Sequence, residues 1–126
     1  MADITTLVQA EQVRLDSDSL GALYRQLGEA NADEVICRAV EELAVRLTQS
    51  ERLWREGDWA ALRKSVRSLV AISKQVGMSK LSRVAGDVIT ALDNNDAVAA
   101  AATLTRLLRV GERSLTAVWD LQDLSI

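Results

Sequence analysis

The stretch LRKSVRSLVAISKQVG, residues 62 to 77, carries four cations, Arg63, Lys64, Arg67 and Lys74, and no acid, in a chain whose formal net charge is -3. Guanidinium and ammonium groups do one kind of chemistry well without help: they donate charge-assisted hydrogen bonds to carboxylates and phosphates. Most other chemistries lack their residues here. There is no histidine, and Cys37 is the single cysteine, so a zinc or haem site, a Cys/His nucleophile and an internal disulfide are all excluded. Ser65, Ser68 and Ser73 have no imidazole to act as their base. Glu41-Glu42 and Asp93 with Asp96 read as a helix surface and a capped turn rather than an acid–base pair, and no glycine-rich phosphate loop is present. These residue types predict a binding protein, with no enzymatic activity, cofactor or metal.

The four cations need a scaffold that lines them up. At 100° per residue on a helix, Arg63, Arg67 and Lys74 fall within about 40° of one another, while the apolar positions centre roughly 140° away. Lys64 lies further round the same side, Ala71 leaves the surface beside Arg67 open, and Val70 sits at the edge between stripe and core. A face kept for solubility alone would interleave acids with bases. An unbroken basic face predicts an acidic partner surface.

The surrounding chain has the composition of a helical domain. Its 126 residues suit one domain, and with no proline, six glycines and 3% aromatic residues it favours long helices over strands. Apolar residues recur at helical spacing nearly throughout. Leu20, Leu23 and Leu27 mark a short helix from about 17 to 28. Asn31 with Glu34 resembles a capping box opening a second helix, whose inner face runs through Ile36, Val40, Leu43, Leu47 and Trp54. Cys37, next to Ile36, is expected to be a small, partly buried core residue.

Gly57-Asp58 reads as a stop and a start. Leu62, Val66, Leu69, Ser73 and Val76 then form the inner face of a third helix, ended by Gly77. Leu81, Ala85, Val88 and Leu92 mark a fourth, DNND at 93 to 96 breaks the chain, and Ala101, Leu104, Leu108, Leu115 and Val118 mark the last, with Gly111 allowing a neighbour to approach closely. Connections this short predict an all-α, antiparallel up-and-down four-helix bundle with an additional short N-terminal helix. Residues 1–14, containing Leu7 and Val8, read as an arm or extra turn and 15–123 as the domain. Trp54, Trp59 and Trp119 are expected to pack the bundle ends. REGDWAALRKSVRSL and DNNDAVAAAATLTRL resemble each other at an offset of 38, which suits two helix-break-helix junctions as well as a repeat. No apolar run approaches the roughly 20 residues of a membrane span, and MADITT has neither the basic flank nor the apolar core of a signal peptide, so a soluble, cytoplasmic protein is expected.

From Leu15 to about Leu121 the pattern resembles the histidine-containing phosphotransfer (HPt) domains of bacterial phosphorelays. Those domains carry a pattern like A-H-x-L-K-G-x-x-x-x-x-G on the third helix, preceded by G-D-x-x-x-L. Gly57, Asp58 and Leu62 match the lead-in, Leu69 the buried leucine, Gln75 a position where a polar amide is common, Gly77 the closing glycine and Asp96 the second break. Val66-Arg67-Ser68-Leu69-Val70-Ala71 occupies the place of A-H-x-L-K-G, so Arg67 replaces the phosphorylated histidine, Val70 the lysine and Ala71 the glycine. Phosphotransfer needs a nucleophilic imidazole nitrogen, and a guanidinium stays protonated at physiological pH. The resemblance therefore implies an HPt-like fold that binds a response-regulator receiver domain through Arg63, Lys64, Arg67, Val70, Ala71 and Lys74 without passing phosphate.

Two other readings compete. A structural bundle could serve as a homodimerisation element. ISKQVGMSKLSRVAG also has the grammar of a helix-turn-helix, with Ser73, Gly77, Met78, Ser79 and Arg83 in place and Lys74, Lys80 and Arg83 set to contact phosphates. A pI near 5.0 argues against nucleic acid as the partner.

Overall fold

The computed structural model describes residues 17–124, with side chains for 20–120; the expected N-terminal arm lies outside that range. Every described element is a helix: α1 (Ser17–Leu27), α2 (Glu29–Glu56), α3 (Trp59–Gln75), α4 (Ser79–Asp93) and α5 (Ala97–Leu124). None of the described helices is long and apolar enough to cross a membrane.

Three junctions share one device. Gly57, Gly77 and Asn95 adopt positive φ values of 76°, 74° and 52°, the left-handed position at which a helix ends most easily. The following amide then reaches back to a carbonyl of the last turn: Asp58 N to Leu53 O at 3.0 Å, Met78 N to Ser73 O at 2.8 Å and Asp96 N to Ala91 O at 3.0 Å. Two of these junctions restart with an aspartate cap, Asp58 accepting from Ala61 N at 3.1 Å and Asp96 from Ala99 N at 3.0 Å. The likeness at an offset of 38 is thus a shared turn, Gly57-Asp58 against Asn95-Asp96.

The start of α2 differs from the expected capping box. Gly28, at φ 80° and ψ 164°, reverses the chain in a conformation nearly reserved for glycine, and α2 begins at once. Asn31 lies inside the first turn and its amide donates to Leu27 O at 3.1 Å, satisfying a carbonyl at the end of α1. Glu34 pairs with Arg38 at 2.7 Å instead of reaching back to the backbone. The phenol of Tyr24 donates to Asp33 Oδ1 at 2.6 Å and ties α1 to α2.

α2 packs against α3 and α5, α3 against α4, and α4 against α5. The shared core contains Leu43, Leu62, Val66, Leu69, Leu81, Val88, Leu107 and Val110, all wholly buried. At 1.5 Å per residue α2 and α5 are about 42 Å long against about 25 Å for α3, so both outreach the α3–α4 hairpin; α1 packs on α2. Across the α2–α3 seam the hydroxyls of Ser50 and Ser65 share a buried hydrogen bond of 2.9 Å. Gly111 is buried against Leu47, as its expected close approach requires.

Three packing expectations are corrected. Cys37 is exposed, because the core face of α2 passes through Ile36, Ala39 and Val40 and turns Cys37 outward. On α5 the expected Leu104, Leu115 and Val118 are buried together with Ala100, Leu107 and Val110, but Ala101 and Leu108 are only half-buried. Trp54 and Trp59 stack at 5.7 Å across the α2–α3 junction, as end-packing predicts, but Trp119 is 53% exposed.

Candidate docking face on the third helix

The rotation of α3 is set by its core. Leu62, Val66, Leu69 and Ser73 are fully buried, Val76 nearly so, and Ser73 donates its hydroxyl to the carbonyls of Leu69 and Val70, which spares a buried polar group the cost of lacking a partner. With that face fixed, Lys64, Arg67, Ala71 and Lys74 are exposed. Arg67, Ala71 and Lys74 follow at intervals of four and three, along one helical ridge of about 10 Å. Val70 is half-buried and packed on the core, where its carbonyl also receives the hydroxyl of Ser82 on α4 at 3.5 Å.

Arg63 stands apart. Its Nε donates to Asp93 Oδ1 at 2.7 Å and its Nη2 to Oδ2 at 3.2 Å, a bidentate pair joining the start of α3 to the end of α4. The bond raises the guanidinium pKa above its ordinary value and holds the Asp93 carboxyl below its own. Periodicity within α3 could not reveal this partner, because the acid comes from thirty residues away. The stripe is therefore neutralised at one end. Its remaining cations, Lys64, Arg67 and Lys74, form no ion pair with any described residue, whereas on α2 four arginines each pair with a glutamate one turn away.

The Arg63–Asp93 bond also marks how α3 and α4 run beside each other. It joins the outer ends of a hairpin whose inner ends meet at Gly77, so the two helices run antiparallel along their length. A helix-turn-helix needs its helices at about 90–120°, and this pair does not have that geometry.

No protein-family model, curated protein or solved structure matches this chain.

One cluster escaped the reading of α3. Lys80, Arg83 and Asp87 of α4 and Arg106 of α5 border a surface notch of about 400 Å³. Lys80 and Arg83 were legible as cations after Gly77, but Arg106 joins them only through the α4–α5 packing. Along α2, Ala44, Val45, Thr48, Gln49 and Arg52 line a second groove of about 500 Å³. Among the described residues no group of His, Cys, Asp or Glu could hold a metal ion.

Proposed function

We propose that this chain is a pseudo-phosphotransfer module: an HPt-like, up-and-down four-helix bundle of α2 to α5, capped by α1, that docks a cytoplasmic response-regulator receiver domain and passes no phosphate. The observation that carries the proposal is Arg67, exposed at the position where the resemblance has its histidine and without an ion-pair partner among the described residues. The closed order of neighbours α2, α3, α4, α5 and the antiparallel α3–α4 hairpin support the same reading.

In that reading Arg67 enters the acidic pocket of the receiver as a permanent cation and donates charge-assisted hydrogen bonds to its carboxylates. Lys64 and Lys74 steer the approach, and the small Ala71 lets the partner come close. Arg63, held by Asp93, contributes shape more than charge.

Affinity for receiver domains of the same cell, measured by calorimetry with wild type and Arg67→Glu, tests the proposal. Loss of one charge-assisted contact and gain of a repulsive one predicts a drop of at least about tenfold. Equal affinities would refute the docking role. Incubation with a phosphorylated receiver should leave no acid-labile, base-stable phosphate on the chain; its appearance would refute the inactive part.

A further inference from the structure

The notch between α4 and α5 is built from residues that the docking face on α3 does not use. Lys80, Arg83 and Arg106 line its volume of about 400 Å³ from two helices, with Asp87 as the one acid among the lining residues. Gly86 lines it, half-buried in the middle of α4, and Thr90, also on the lining, donates its hydroxyl to Gly86 O at 3.1 Å.

Two features of α4 work against the helix itself. Glycine is a poor helix former, yet Gly86 has an ordinary negative φ, and a Cβ added there would meet nothing within 4 Å. Neither backbone conformation nor packing requires it. The first turn of α4 contains no acid and includes Lys80, near the positive end of the helix dipole, where cations are disfavoured. An anion resting over Gly86 would account for the open glycine, since it gains the neighbouring cations and needs the space that a side chain would fill.

The geometry points to a phosphate-monoester site in this notch. A carboxylate is flat, singly charged and satisfied by one guanidinium, whereas a phosphate monoester carries about −1.5 to −2 charges and three acceptor oxygens, which suits three cationic donors arriving from two helices. An arginine has five N–H donors, so Arg106 can hold an intramolecular acceptor and a ligand oxygen together. The volume exceeds that of phosphate alone and lies within the range of small-ligand pockets, which leaves room for the organic part of the ester. That part belongs either to a free small molecule or to a phosphorylated side chain.

The site stands independently of receiver docking, and its test uses no receiver. Titrating the intact protein with phenyl phosphate, while following the Gly86 and Asp87 amides by two-dimensional NMR, should give saturable shifts, with benzoate at equal concentration giving none. Arg106→Gln should weaken binding by about tenfold, the value of one charge-assisted hydrogen bond, and Arg52→Gln on α2 should leave it unchanged. Gly86→Ala should raise the melting temperature and weaken phenyl phosphate binding together, a combination that a merely structural glycine would not give. A phosphoserine peptide binding more tightly than phenyl phosphate identifies a phosphorylated protein segment as the source, and the reverse order identifies a free ester. Absence of a saturable shift, an equal response to benzoate, or full affinity in Arg106→Gln overturns the assignment.

Discussion

Substituting Gly111 sets two opposing effects against each other at the seam between α2 and α5. A Cβ at this position would lie 2.6 Å from Leu47 Cδ1, 2.8 Å from Cδ2 and 3.3 Å from Cγ, well inside the roughly 3.5–4.0 Å at which carbon atoms attract. Alanine is the better helix former by about 0.8–1 kcal/mol, while an extra methyl in a packed core costs about 1–3 kcal/mol. Gly111→Ala should therefore destabilise the protein by up to about 2 kcal/mol. Leu47→Ala removes the obstructing atoms and alone costs about 2–5 kcal/mol. In that background the methyl enters the vacated space, and Gly111→Ala should become stabilising by up to about 1 kcal/mol. The sign reverses, and the double-mutant cycle should give a coupling of about 1–3 kcal/mol. Urea denaturation followed by far-ultraviolet circular dichroism measures all four variants. Equal effects of Gly111→Ala in the two backgrounds, or stabilisation in wild type, would refute the reasoning. Gly86→Ala is the internal contrast: with open space around its Cβ, it should stabilise by up to about 1 kcal/mol.

Two further outcomes follow from hydrogen bonds in the fold. Tyr24 has its pKa pushed up from 10.0 to about 12, first by the hydrogen bond to Asp33, then by burial and by the Asp33 charge. A raised folded-state value favours the protonated phenol, so its contribution to stability is complete below pH 10 and disappears as the pH rises towards 12. Tyr24 is the only tyrosine, so an ultraviolet difference titration reads it directly, and Asp33→Ala should move the midpoint down towards 10; an unmoved midpoint would remove Asp33 as the cause. Asp58→Ala deletes the cap on Ala61 N and should cost about 0.5–2 kcal/mol in urea denaturation, whereas Asp58→Asn should retain most of the stability.

The helices and their breaks were largely legible because their signals are local. Gly57-Asp58, Gly77 and the 93–96 break each combine a residue tolerant of positive φ with a change of apolar phase, and the predicted inner faces of α3 and α4 are buried residue for residue. The errors have identifiable causes. Asn31 and Glu34 have the spacing of a capping box, but Gly28 turns the chain three residues earlier by backbone conformation, leaving both side chains other partners. The alanine run at 99–102 carries almost no phase information, and Ala100 and Leu107 are buried in place of the expected Ala101 and Leu108, whereas Leu104, Leu115 and Val118 are buried as expected. At the candidate site, exposure of Arg67 and Lys74 follows from periodicity alone. The neutralisation of Arg63 and the arrival of Arg106 in the notch depend on which helices become neighbours, and no single-helix pattern contains that.

The pairing of α2 with α5 at Gly111 and Leu47 also has a kinetic consequence. Each hairpin from α2 to α5 joins consecutive helices through a two- or three-residue connection and can form while the rest of the chain is open, with little loop to close. The α2–α5 seam can form only after the entire intervening chain has been gathered. Contacts that form after the transition state act mainly on the unfolding rate. The seam beside Gly111 is thus a latch: its packing governs how long the folded molecule stays closed more than how quickly it assembles.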